Sequence, residues 1–185
     1  MAEPGLHELK RTRPDVEVVW KAFELRPDPA SSLDPAGEYL TRVWRDSVYP
    51  LAERLGMTMR LPPIQPRSRR AHEAAKWAQT QDQFDSYNDA LFRAFFERGE
   101  DISDIEVLTQ LAHDLGLDDS ALRAALENKQ FEPSVIADER EAAELGVHAV
   151  PAFVFNRRFA LTGVQPAAAL EQMVNHAITF DGIEE

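Results

Sequence analysis

The segment Gly146-Val147-His148-Ala149-Val150-Pro151-Ala152-Phe153-Val154-Phe155-Asn156 constrains this chain more than any other. Leu145-Gly146 reads as a helix end and leads into a Val-Pro step, after which a short apolar strand begins. Asn156-Arg157-Arg158 makes a turn, Phe159-Ala160-Leu161-Thr162 a second strand, and Gly163-Val164-Gln165-Pro166 leads into a last helix. A proline directly ahead of a strand is often cis, because an X-Pro bond gives up only ~0.5–1 kcal/mol in that form. Val150–Pro151 is therefore expected to be a cis bond with an accessible backbone edge. The 185 residues contain no cysteine, so they form no disulfide, supply no thiolate to a metal and perform no thiol chemistry themselves.

A chain of this length with 44% hydrophobic residues can bury a substantial core, in one or two lobes. Its formal net charge of -12 argues against nucleic acid and anionic membranes as partners. The acidic residues are spread along the sequence, as on a solvated surface. No apolar run approaches the ~20 residues of a membrane span. The start, Met1-Ala2-Glu3-Pro4-Gly5-Leu6-His7-Glu8, lacks the basic and apolar regions of a signal peptide. A cytoplasmic location is the default expectation.

Residues Pro4 to Arg11 read as the tail of a helix stopped by Arg13-Pro14. Val16 to Phe23 is rich in β-branched and aromatic residues, with apolar side chains at alternate positions, and reads as a strand. Prolines 27, 29 and 35 mark a loop, and from Glu38 to about Glu144 nearly everything is helical. Glu38 to Leu55 is one helix interrupted at Pro50, followed by helices from Ala71 to Gln81 and from Phe84 to Glu97. Phe84, Tyr87, Leu91, Phe92, Phe95 and Phe96 form a core stripe on the latter. Ser103-Asp104-Ile105-Glu106 has the pattern of a capping box, with the Ser103 hydroxyl as the cap. Its helix ends at Gly116. Further helices run from Asp119 to Asn128 and from Pro133 to Gly146. The two-stranded hairpin and the Val16 strand cannot form stable isolated layers and are expected to join one sheet.

Other constellations carry less chemistry. Glu141, Glu144 and His148 have helical spacing, but the helix ends at Gly146, so no metal site is expected there. His72-Glu73-Ala74-Ala75-Lys76 lacks the second histidine of a zinc-protease motif. Arg69, Arg70 and His72 read as a solvated helix start, with substrate binding from a helical cap as the alternative. His148 reads as a surface-loop histidine or as a polar group beside a bound substrate.

Three segments together resemble the DsbA-like superfamily, and within it the FrnE-type dithiol oxidoreductases and the 2-hydroxychromene-2-carboxylate isomerases. They are Val16 to Pro29, containing Phe23-Glu24-Leu25-Arg26-Pro27-Asp28-Pro29; Ala90 to Asp104, containing Phe95-Phe96-Glu97-Arg98-Gly99-Glu100-Asp101; and Glu141 to Pro166. The resemblance implies an α/β, thioredoxin-like fold with an all-helical insertion. Residues 1–36 and 146–185 would form the thioredoxin-like domain and 37–145 the insertion. It also implies a substrate platform at Val150 and Pro151, with His148 close by. The partner would be a peptide or a small thiol; no bound cofactor is expected, glutathione being the thiol of the isomerase-like branch.

Members of that superfamily open with a strand and then Cys-Pro-x-x, which starts the helix that ends here near Arg11. A thiolate at a helix N-terminus is stabilised by free N–H groups and the helix dipole. The present sequence holds no counterpart of that strand or motif. Three functions follow as expectations: thiol–disulfide oxidoreductase, glutathione-dependent isomerase, and a peptide-binding or chaperone module without redox chemistry. In the sheet the absent strand would lie between the Val16 strand and the Ala152 strand. Direct closure of those two strands is expected, with a split sheet or a strand from a partner chain as alternatives.

Overall fold

The computed structural model describes residues 1–181; the last four residues of the expected C-terminal segment lie outside them. The helices are α1 (Glu3–Thr12), α2 (Glu38–Val43), α3 (Tyr49–Arg54), α4 (Arg69–Gln79), α5 (Phe84–Arg93), α6 (Ile105–Asp114), α7 (Asp119–Glu127), α8 (Glu132–Glu144) and α9 (Ala167–Asp181). The strands are β1 (Ala152–Phe155) and β2 (Phe159–Thr162). Two compact units form, one of Met1–Lys21 with Glu141–Glu185 and one of Ala22–Arg140.

In the first unit, Leu6 and Leu9 of α1 meet Leu170 and Val174 of α9 in a small core. The helices approach closely at Gly5, where an added Cβ would collide with the backbone carbonyl of Gln165. Phe153 and Phe155 of β1 cover the same core. β1 and β2 pair antiparallel, from Ala152 opposite Thr162 to Phe155 opposite Phe159. Asn156 and Arg157 both take positive φ, and Arg158 N–H donates to the Phe155 carbonyl at 3.0 Å. That backbone hand matches the twist of a tight hairpin.

The expected Val16–Phe23 strand does not form a ladder. Val16, Val18 and Trp20 turn inward onto the core beside Phe153 and Phe155, while Glu17, Val19 and Lys21 face outward. The alternation is that of a strand, but among the described residues the sheet has only β1 and β2. Direct closure onto β1 is thus overturned. Side-chain periodicity dictates which face is buried; strand pairing needs a neighbouring backbone at ladder distance as well.

In the second unit, α4, α5, α6 and α7 enclose a core containing Trp77, Tyr87, Leu91, Leu108, Leu111, Leu122 and Leu126. Tyr87 is fully buried and its hydroxyl donates to the Leu108 carbonyl at 2.8 Å. Phe84 packs on the same core, whereas Phe92, Phe95 and Phe96 of the stripe serve a separate cluster: Phe96 lies near Phe95, Phe92 and Trp44, and Trp44 meets Tyr49 edge-on at 5.5 Å. The expected interruption at Pro50 takes the form of a widened π turn, Trp44–Val48, between α2 and α3. Tyr49 N–H reaches back five residues to Trp44, which lets the chain absorb a proline that has no N–H to give.

The capping box is corrected. Asp104, not Ser103, caps α6, accepting Glu106 N–H at 2.9 Å. The Ser103 hydroxyl instead donates to Asp101 at 2.6 Å, and the Glu106 carboxylate pairs with Arg123 at 2.7 Å. An aspartate one residue further on satisfies the same free N–H groups, and it frees the glutamate for a tertiary ion pair.

Candidate functional site

The C-terminus of α8 sets the position of the Val150–Pro151 loop. Gly146 takes φ +69°, Gly146 N–H donates to Ala143 at 3.1 Å and Val147 N–H to Ala142 at 2.8 Å. This double closure stops the helix and turns the chain outward. His148, Ala149 and Val150 then run exposed, Val150 being 46% accessible. The Val150–Pro151 bond is cis, as expected, and β1 begins at the next residue.

Backbone pairing around this loop is one-sided. The Pro151 carbonyl accepts Gly163 N–H at 2.8 Å, extending the hairpin past its ladder. One residue earlier, the N–H and C=O of Val150 make no hydrogen bond with any described residue. An exposed segment with free backbone groups, lying directly ahead of a strand, can accept a second chain as an added strand. His148, beyond the helix end, leaves the face that carries Glu141.

Glu141 is committed elsewhere, pairing with Lys21 at 2.9 Å and with Arg157. No group of His, Asp and Glu among the described residues could hold a metal ion.

The solvated helix start expected at Arg69 and His72 is overturned. Both side chains enter a largely buried polar cluster of the second unit, together with Glu24, Lys76, Asp138 and Glu139. Arg69 donates through Nε to Glu24 and through Nη2 to Glu139 at 3.2 Å. Lys76 pairs with Asp138 at 2.5 Å, and Asp138 also accepts Ala22 N–H at 2.9 Å. His72 lies mostly buried beside the Phe23 backbone, and desolvation pushes its pKa down. Arg70 donates to the Ser103 carbonyl at 3.1 Å. On α4, positions 69, 72, 73 and 76 share one helix face, so this face is polar although it is covered.

Glu24, Asp138 and Glu139 were missed as members of this cluster. A signal for them exists: Glu24 interrupts the apolar run Ala22-Phe23-Glu24-Leu25, and Asp138 lies three residues after the buried Val135 on α8. A charge in register with core positions calls for a buried partner.

A family model, the DSBA-like thioredoxin domain, matches residues 1–175. The chain belongs to that family and has its thioredoxin-like fold, rich in helix and with a small two-stranded antiparallel sheet. It is 34% identical over 169 residues to YwbO, an uncharacterized protein of Bacillus subtilis (strain 168), covering 89% of this chain and 82% of that one. Among solved structures it is similar to SCO1869 of Streptomyces coelicolor, described as a probable DsbA oxidoreductase. That likeness has a TM-score of 0.82 and 27% identity over 96% of this chain and 83% of the other. A protein of Nitrosomonas europaea, described as a candidate protein disulfide isomerase, shares the fold at a TM-score of 0.73 and 16% identity, over 95% and 89% of the two chains.

Proposed function

We propose that these residues are the substrate-holding part of a thiol–disulfide oxidoreductase of the FrnE kind, and that Val150 receives an extended peptide along its backbone. The observation that carries this reading is the exposed Val150 with its unpaired N–H and C=O, one residue before β1. A peptide laid antiparallel or parallel there gains two backbone hydrogen bonds without unpairing anything in the hairpin. His148, exposed two residues earlier, offers the bound segment a polar contact. Membership of the DSBA-like family and the likeness to a probable DsbA oxidoreductase support the thiol–disulfide chemistry.

Disulfide exchange proceeds by attack of a thiolate on sulfur. The 185 residues supply none, so the attacking sulfur comes from another polypeptide segment or from a small thiol such as glutathione. In this division of labour Val150–Pro151 aligns the substrate and the thiolate does the chemistry. A reducing, cytoplasmic setting suits it.

The absence of cysteine equally favours a second reading, a thioredoxin-like peptide-binding module with no redox role. Joining a β-strand ending in Cys-Pro-x-Cys ahead of Met1 separates the two. The oxidoreductase reading expects the extended protein to oxidise a dithiol peptide well above background while the cysteine-free chain only binds it. Binding without turnover by the extended protein would leave the module; no peptide binding by either form would overturn both.

A further inference from the structure

Two residues that their own positions disfavour meet in the first unit. Glu141 lies in the last turn of α8, where the helix dipole favours cations, and no basic residue stands there. Arg157 takes φ +60° in the hairpin turn, a conformation that glycine adopts freely and arginine does not. The Arg157 guanidinium donates to Glu141 Oε1 across sixteen positions of sequence. The other carboxylate oxygen, Oε2, pairs with Lys21 at 2.9 Å. Local preferences broken on both sides of one contact point to a use for that contact beyond the helix and the turn themselves.

The pair closes an arch. From Glu141 the chain finishes α8, turns out at Gly146, passes through His148, Ala149 and Val150, and returns along β1 to the turn at Asn156 and Arg157. The ion pair stands at the foot of this arch. At its crown is the Val150 backbone, which has no hydrogen-bond partner among the described residues. The hairpin moves as one piece, because β2 is laddered to β1 from the turn to the contact between Gly163 N–H and the Pro151 carbonyl. A tie at Arg157 therefore sets the angle of the whole hairpin against the end of α8, and with it the direction in which the Val150 N–H and C=O face. The Arg157 side chain is 63% accessible, so the pair adds little to global stability. Its leverage is directional.

We propose that the Glu141–Arg157 ion pair is the positioning contact of the peptide edge, holding the Val150 backbone in the direction that receives an extended chain. This rests on the reading of Val150 as that edge. Lys21 steadies Glu141 from the Val16 segment and leaves Oε1 to Arg157. A glycine at 157 would suit the turn better but could not reach Glu141. Stability and peptide affinity are therefore expected to part company at this position.

The test uses the 185-residue chain with Arg157→Gly, Arg157→Lys and Glu141→Gln. Urea unfolding reads stability, and backbone nitrogen relaxation of the peptide-free chain reads the order of the Ala149 and Val150 amides. Titration with an uncharged, unstructured cysteine-containing peptide reads affinity. Arg157→Gly should unfold at the same or a higher urea concentration, yet show lower order parameters at Ala149 and Val150. Its Kd should rise about two- to fivefold, the range that one exposed ion pair can supply. Arg157→Lys, which keeps a cation opposite Glu141, should restore most of the affinity without the stability of the glycine variant. High salt should bring the wild type to the affinity of Arg157→Gly and leave that variant unmoved. Wild-type order and affinity in Arg157→Gly would overturn the proposal, and so would an affinity that falls only in step with stability. Glu141→Gln gives the same readings from the other side of the pair, should Arg157→Gly fail to fold. A wild type that binds no peptide would overturn the reading of Val150 instead, and the relaxation of the peptide-free chain would then decide the positioning.

Discussion

Asp138 accepts the backbone N–H of Ala22 at 2.9 Å and pairs with Lys76 Nζ at 2.5 Å. One carboxylate of α8 thus holds both an extended segment and a helix. The Asp138 side chain is 6% accessible and that of Lys76 14%. Asp138→Ala leaves a buried ammonium and a backbone donor without this acceptor. A loss of about 3–5 kcal/mol in urea unfolding is expected. Asp138→Asn keeps an acceptor for Ala22 and should cost clearly less; equal losses would show that the backbone contact contributes nothing.

Gly5 tests the packing of α1 on α9. In an open helix, glycine to alanine stabilises by up to ~1 kcal/mol. Here the new methyl would meet the Gln165 carbonyl, a backbone atom that cannot rotate away. Gly5→Ala is therefore expected to destabilise by about 1–3 kcal/mol, read from urea unfolding. A gain in stability would mean that the two helices sit further apart than described.

His72 gives the stability of the fold a pH dependence. Burial lowers its pKa in the folded state, so the fold prefers the neutral ring. The stability associated with it is complete above the ordinary histidine value of ~6.5 and is lost as pH falls through the lower folded value. The imidazole proton signals of His72 should titrate below that ordinary value. A midpoint at or above it would contradict the burial of the ring.

Much of this architecture is written locally. The hairpin follows from Phe153–Asn156 and its turn, and the helix ends follow from Gly116 and Gly146, because these features act over a few residues. The Val16 segment shows what local pattern omits: it fixes inward and outward faces, and pairing depends on a backbone elsewhere. The cap of α6 moved by one residue because Ser103 and Asp104 are both competent, and Arg123 competes for Glu106 from another helix. At the candidate site, His148, Val150 and Pro151 could be singled out by their place between helix and strand. The buried cluster could not be assembled that way, since Glu24, Arg69 and Glu139 are far apart in sequence and meet only through packing.

The central claim is that the Val150 backbone accepts an extended peptide. Backbone amide spectra of the isotope-labelled chain, recorded while an unstructured cysteine-containing peptide is added, test it most directly. The largest shifts should fall on His148, Ala149, Val150 and Ala152, with Val150 N–H becoming protected from exchange as it acquires an acceptor. Shifts confined to the helices α4 to α7, or an unchanged Val150 amide at saturating peptide, would contradict it.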